Sequence, residues 1–145
     1  MQKFKFIPHT ADIKFQAFGK TLQEVFGNSA LALFKIMNDN KIKETKKFKI
    51  QAKGDDFESL MYNFLEQFLI LFDTKNFIPS KIKNLKLDVP RGVSSGEKIF
   101  KIEAEVFGDF AKNYEISMSV KAITYNEMFI KKIKNKFISQ VVVDV

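Results

Sequence analysis

The sequence contains no cysteine and very little arginine, histidine, proline or glycine. The absence of cysteine excludes disulfide bridges, thiolate zinc sites and cysteine nucleophiles. A catalytic zinc site is not expected with a single histidine, and neither glycine-rich phosphate loop, G-x-x-x-x-G-K-[ST] or G-x-G-x-x-G, occurs. The available chemistry therefore depends on carboxylates, lysines and one histidine.

Long apolar runs are absent too. The first residues, Met1-Gln2-Lys3-Phe4-Lys5, do not form an apolar stretch of signal-peptide length, and no stretch approaches the length of a membrane span. The hydrophobic fraction is 46% and includes 17 phenylalanines, which is typical of a packed globular core. We expect one domain over residues 1–145, monomeric, cytoplasmic and not bound to a membrane.

The charge is strongly positive, at +7, with 24 basic residues. Arg91 is the only arginine, whereas recognition of phosphates and bases usually uses the bidentate arginine fork. The lysines are therefore expected to be spread along solvent-exposed faces. Contact with RNA through a protein partner remains open.

Two helices are predicted. Thr21-Leu22-Gln23-Glu24 has the form of a capping box, and apolar residues at helical spacing follow it as far as residues 38–40. A second helix is expected to begin at residues 55–58 and end at residues 73–76. Its wide phenylalanine-rich face predicts deep burial rather than a ligand pocket.

Alternating apolar and polar residues predict the remaining elements as strands. They cover residues 4–6, 13–18, 46–53, 82–89, 100–106, 120–125, 128–133 and 137–145, with turns at 90–96 and 134–136. This order predicts an α+β fold, in which two α-helices cover one face of a mostly antiparallel or mixed β-sheet. Residues 110–119 have the weakest pattern and are a candidate functional loop.

Acidic residues occur at the ends of two predicted strands. In His9-Thr10-Ala11-Asp12-Ile13, Asp12 lies at the start of a strand, and Asp144 and Val145 end the last strand. If these strands meet, Asp12, Asp144 and the terminal carboxylate of Val145 converge, and crowded carboxylates suit a hard cation such as calcium or magnesium.

A plainer interpretation is also open. Asp12 could simply end a turn, Asp144 could be a solvated terminal residue, and His9 could be structural rather than a ligand or proton carrier. The residues alone favour this second interpretation.

Five segments resemble the archease family, in the family's order. They are residues 9–13, the helix at 21–34, the apolar stretch at 60–77, Lys121-Ala122-Ile123-Thr124-Tyr125 and the end at 141–145. The resemblance implies an archease-like fold and an accessory protein of the RtcB-type RNA-splicing ligase. It also implies a divalent cation, usually calcium, on Asp12, Asp144 and Val145, and a functional role for Lys121.

The sequence departs from the family pattern at Asn126, where many members have histidine, and has no histidine in residues 110–120. Asparagine can supply an oxygen ligand but cannot shuttle protons at neutral pH.

The first hypothesis is therefore a non-enzymatic activator of the ligase, which promotes its guanylylation and turnover and contacts RNA only through it. Magnesium or manganese could take the place of calcium. The alternatives are a small metal-dependent hydrolase or transferase that acts alone, and a basic RNA-binding chaperone.

Overall fold

The computed structural model describes residues 2–9, 11–90, 99–116 and 118–145. Its elements, in chain order, are β1 (Phe4–Ile7), β2 (Ile13–Gly19), α1 (Leu22–Met37), β3 (Lys46–Gly54), α2 (Phe57–Lys75), β4 (Phe77–Asp88), β5 (Phe100–Phe110), a short 3-10 helix (Ala111–Asn113), β6 (Ala122–Ile133) and β7 (Lys136–Asp144). The turn predicted at residues 90–96 lies, from residue 91 onward, outside the described residues.

The strands form two antiparallel sheets. The first has the order β1-β2-β7-β6, and the second has the order β3-β5-β4. The predicted α+β architecture of two helices and antiparallel strands is confirmed. The strands form two sheets rather than the single sheet of the prediction, and in the first sheet β2 pairs with β7, which joins the two ends of the chain.

Side-chain caps fix the start of both helices. Thr21 and Glu24 form the predicted capping box of α1, in which the Glu24 amide donates to Thr21 Oγ1 at 3.1 Å. Asp56 caps α2 by accepting a hydrogen bond from the Ser59 amide at 2.8 Å. At the other end of α2, Asn76 has the left-handed φ of 52° that commonly terminates helices.

The hydrophobic core lies where both sheets face the helix pair. Its buried members include, from the first sheet, Phe15, Ile123, Val141 and Val143; from the second sheet, Ile50, Ile102, Ala104 and Val106; and from the helices, Phe26, Leu33, Phe64 and Phe68. Because the alternate residues of β2 and β7 are buried here, the register of these two strands is fixed by the core.

Two strands differ from their predicted limits. β4 begins at Phe77, five residues earlier than the predicted strand, and its pairing with β5 is irregular just after Pro79, which cannot donate a hydrogen bond to the ladder. β6 is one strand from Ala122 to Ile133 instead of two, and its pairing with β7 is interrupted between Thr124 and Phe129.

The weakly patterned segment after β5 is anchored by a buried carboxylate. Asp109 accepts hydrogen bonds from Thr45 Oγ1 at 2.6 Å and from the Tyr114 hydroxyl at 2.8 Å. These bonds lower the pKa of Asp109 from 3.8 to about 2, with the Thr45 contact as the main cause. They fasten this segment and the one before β3 to the end of β5. No helix in the described residues is both long and apolar enough to cross a membrane.

Candidate functional site

The end of the first sheet brings the two predicted aspartates together. Ile13 of β2 pairs with Val143 of β7, so the next position outward is Asp12 on one chain segment and Asp144 on the other. Residues opposite each other in antiparallel strands are close neighbours. Both aspartates are half-buried. The convergence predicted from the sequence is therefore found at the level of strand register.

Lys121 reaches the same corner from the other side of β7. Asp144 pairs with Ala122, and the backbone amide of Lys121 donates a hydrogen bond to the backbone carbonyl of Asp144 at 2.7 Å. The side chain of Lys121 is exposed, while Val145 is half-buried and packs against the core. We call Asp12, Lys121, Asp144 and Val145 the acidic corner.

The acidic corner offers only oxygen donors to a cation. Within the described residues no group of three or more His, Cys, Asp or Glu side chains is arranged to hold a metal ion. A site here would combine the side chains of Asp12 and Asp144 with a main-chain oxygen of Val145. Such a set suits a hard divalent cation that retains water ligands, and it does not suit a metal that requires nitrogen or sulfur.

The imidazole of His9 contacts Glu127 on β6. The Nε2 atom of His9 lies 3.1 Å from Glu127 Oε2, and Lys14 Nζ donates to Glu127 Oε1 at 3.2 Å. Since a carboxylate can only accept, Nε2 carries the proton. The Nδ1 atom is buried and has no hydrogen-bond partner within the described residues. The structure thus places His9 in a hydrogen-bonded contact with Glu127, which ties the chain at His9 to β6.

Glu127 owes its position to the irregular stretch of β6. From Thr124 to Phe129 β6 advances five residues while β7 advances two, from Val142 to Gln140, so three extra residues are accommodated. Glu127 has a φ of 55°, a conformation that costs energy for a residue other than glycine. Its backbone carbonyl accepts a hydrogen bond from Gln140 Nε2 at 2.8 Å.

Hydrogen bonds from His9 and then Lys14 lower the pKa of Glu127 below its usual value. It is ionised at neutral pH and pairs with both basic groups. Sequence reasoning missed this residue. The only signal was the loss of strict alternation between the two strands that had been predicted at residues 120–133.

A groove of about 600 Å³ adjoins the acidic corner. His9, Asp12 and Asp39 provide polar groups along it, and Phe6 and Met118 contribute exposed apolar surface. The groove gives a partner molecule direct access to Asp12. A hollow of similar size, about 630 Å³, lies on the second sheet among Lys53, Lys86 and Lys101 and includes no residue of the acidic corner.

The model of the archease protein family (MTH1598/TM1083) matches residues 4–145. The chain belongs to the archease family. Curated relatives align with this chain along their whole length. Protein archease from Sulfurisphaera tokodaii is 36% identical to it, and the alignment covers 100% of both chains. Protein archease from Methanosarcina barkeri is also 36% identical, with 99% of this chain and 97% of the relative covered.

Solved structures have the same fold. The solution structure of protein 1598 from Methanobacterium thermoautotrophicum superposes with a TM-score of 0.83 at 29% identity and covers 100% of both chains. A crystal structure from Thermotoga maritima, described as an archease and possible chaperone, has a TM-score of 0.61 at 19% identity and covers 97% of this chain and 96% of that chain. The predicted archease fold is confirmed.

The archease motif segments lie at neighbouring strand ends. His9 and Asp12 precede β2, Lys121 precedes β6, and Val141, Val142 and Val143 lie near the end of β7. Asn126, which stands where many archeases have histidine, is exposed in the irregular stretch of β6, next to Glu127. In this archease it is Glu127, not Asn126, that contacts His9.

Proposed function

We propose that this archease is a non-catalytic accessory protein of an RtcB-type RNA-splicing ligase, acting as a monomer in tRNA splicing and RNA repair. Family membership supports the proposal, and the observation that carries it is the strand register that sets Asp12 beside Asp144. Two acidic motifs, from opposite ends of the chain, meet at an accessible surface. Chemistry of bond formation would stay with the ligase.

The proposed role of the acidic corner is to hold a divalent cation. Asp12, Asp144 and the main-chain carboxylate of Val145 supply hard oxygen ligands, which fit calcium and also magnesium or manganese. A cation bound there would supply positive charge next to the exposed amine of Lys121, and both groups attract phosphate oxygens. The hydrogen bond of Glu127 with His9 and its ion pair with Lys14 would keep the chain on either side of Asp12 in place.

The alternative of a basic RNA-binding chaperone has one supporting observation. The outer face of the second sheet carries seven lysines and three acids: Lys47, Lys49, Lys53, Lys81, Lys83, Lys86, Lys101, Asp88, Glu103 and Glu105. However, Lys47 pairs with Glu105 at 3.1 Å and Lys86 with Glu103 at 3.9 Å, so the face contains a ladder of opposite charges. Cross-strand pairs of this kind stabilise the sheet and reduce its attraction for phosphate.

The test is multiple-turnover RNA ligation by the RtcB-type ligase from the same source, with and without this protein. Formation of the ligase–GMP intermediate is followed in parallel, and the protein is prepared without a tag after Val145. We expect faster guanylylation and more turnovers per ligase. Unchanged ligation with correctly folded protein would overturn the proposal. RNA hydrolysis or transfer by this protein alone would favour an independent enzyme.

A further inference from the structure

Two tyrosines stack on the surface beside the acidic corner. The rings of Tyr62 on α2 and Tyr125 on β6 are nearly parallel, with centroids 4.4 Å apart and an interplanar angle of 11°. Tyr125 is 54% exposed although it is a large aromatic side chain. One face of its ring contacts Tyr62, and the ring remains accessible to another molecule.

The tyrosine pair belongs to a longer stripe. Glu58, Tyr62, Glu66 and Ile70 follow one another at four-residue intervals and so share one face of α2. Ile70 is 43% exposed, which is unusual for isoleucine. We call these four residues together with Tyr125 the α2 stripe.

The chain between residues 118 and 125 runs alongside the α2 stripe. At one end Tyr125 contacts Tyr62, and at the other Met118 and Val120 line a small hollow with Leu69 and Asp73. Lys121, whose amide is bonded to Asp144, lies between these ends. The α2 stripe therefore neighbours the stretch of chain that carries Lys121 of the acidic corner.

The charge of this surface is opposite to that of the whole protein. Asp55, Asp56, Glu58, Glu66 and Asp73 lie on α2 or just before it, and within the described residues none of them forms an ion pair with a basic side chain. Burial, and then the neighbouring Tyr62, Asp56 and Glu66, raise the pKa of Tyr125, which agrees with an acidic environment. Lys75 ends α2 and Lys121 lies on the neighbouring stretch of chain, but within the α2 stripe itself Glu58 and Glu66 are the only charged residues. A chain of net charge +7 thus presents an acidic, aromatic stripe.

We propose that the α2 stripe is a docking surface for an arginine-bearing, cationic surface of a partner protein. An open aromatic face flanked by carboxylates suits a guanidinium group, which can stack on the ring and pair with the acids. Exposed Ile70 supplies apolar contact area beside it. Tyrosine and arginine are also the residues that contribute most to protein interfaces.

The inference rests on the proposed function in one respect, since it takes the RNA ligase as the partner. RNA itself is a less suitable occupant, because the acids would repel its phosphates. A second copy of this chain is less suitable as well, because it could offer only one arginine.

The test measures the affinity of the full-length, untagged protein for the ligase by isothermal titration calorimetry at low and moderate salt. Glu66→Lys and Tyr125→Ala are compared with Tyr125→Phe, which retains the ring. The charge-matched control is Asp88→Lys, on the second sheet. Thermal unfolding checks that each variant is folded. We expect Glu66→Lys and Tyr125→Ala each to weaken binding about tenfold, and the other two variants to stay within about twofold.

If Glu66→Lys and Tyr125→Ala both bind the ligase as tightly as the wild type, and the wild-type protein still stimulates ligation, the α2 stripe is not the docking surface. The proposed function would then stand without it. Absence of any stimulation by the wild-type protein would instead overturn the proposed function, and with it this partner. If Tyr125→Ala lowers affinity only for a labelled RNA oligonucleotide, the stripe binds RNA. If Glu66→Lys dissociates a dimer seen by sedimentation, the occupant is a second copy. Either result contradicts the proposal.

Discussion

The imidazole of His9 and the carboxylate of Glu127 lie 3.1 Å apart, although 118 positions separate them in the sequence. This contact connects the segment before β2 with the irregular stretch of β6. It is partly shielded, since the side chains of His9 and Lys14 are 18% and 15% exposed. Partial burial strengthens such a contact relative to an ion pair in open solvent.

Neutralising Glu127 should change the tautomer of the histidine. In the wild-type protein the neutral ring is expected to carry its proton on Nε2, because the carboxylate of Glu127 accepts there. Glu127→Gln should allow a mixture of tautomers. Nitrogen-15 NMR can measure this without ambiguity, since the chain has one histidine. Glu115→Gln, at an exposed position, is the control, and an unchanged tautomer in Glu127→Gln would contradict the assigned contact.

Removing either aspartate of the acidic corner should abolish stimulation of the ligase. Asp12→Asn and Asp144→Asn each delete a proposed ligand while retaining the size of the side chain. Without divalent cation these variants should be as stable as the wild type or more so, because carboxylate repulsion is reduced. Added calcium should raise the unfolding temperature of the wild-type protein alone.

Asp39→Asn is the matched control for these two variants. Asp39 lines the same groove as Asp12, but it is exposed at the end of α1 and pairs with Lys35. It should behave as the wild type. Full ligase stimulation by both Asp12→Asn and Asp144→Asn would contradict the proposal that the acidic corner holds a cation needed by the ligase.

Extending the chain beyond Val145 should weaken cation binding. Added residues convert the proposed carboxylate ligand into an amide, which removes its negative charge. The same residues added before Met1 provide the control. Calorimetric titration with calcium should show reduced affinity only for the extension after Val145, and equal affinities would remove Val145 from the ligand set.

Stability should fall in acid through Asp109. Its pKa is about 2 in the folded protein against 3.8 for the ordinary carboxyl group. Folding therefore favours the ionised form, and the stabilisation is present above pH 3.8 and is lost as the pH falls toward 2. Urea unfolding between pH 2 and pH 6 should show a shallower pH dependence for Asp109→Asn. Some dependence should remain, because the pKa values of Glu105 and Glu127 are also lowered.

Adding a methyl group at Gly108 should destabilise the second sheet. A Cβ atom there would lie 2.0 Å from the backbone oxygen of Ile78, which cannot move aside without disturbing β4. We expect Gly108→Ala to lower the free energy of unfolding by about 1–3 kcal/mol. Gly27→Ala in α1 is the control, since its nearest contact would be Leu85 at 3.8 Å. It should stabilise by about 0.5–1 kcal/mol, because glycine is unfavourable within a helix.

Local patterns in the sequence predict both helices, their caps and most strands, because each depends on residues only a few positions apart. They also predict that Asp12 and Asp144 lie at strand ends. Local patterns do not determine the pairing of β2 with β7 or the division into two sheets, because both depend on contacts between residues far apart in the chain. Pro79 concealed the start of β4, since proline usually weakens a strand prediction. Glu127 could not be identified, because its role depends on an unpaired stretch and a distant histidine.

The number of residues between the β6–β7 hairpin and Asp144 sets the position of Asp144 in the acidic corner. Asp144 is separated from the hairpin by β7 alone, and side chains alternate between the two faces at every residue. Deleting one valine from residues 141–143 would turn the carboxylate of Asp144 toward the core face and bring a valine beside Asp12. The irregular stretch of β6, in contrast, already absorbs three extra residues without shifting the pairs on either side. The length of β7 between the hairpin and Asp144 therefore determines which residue faces Asp12.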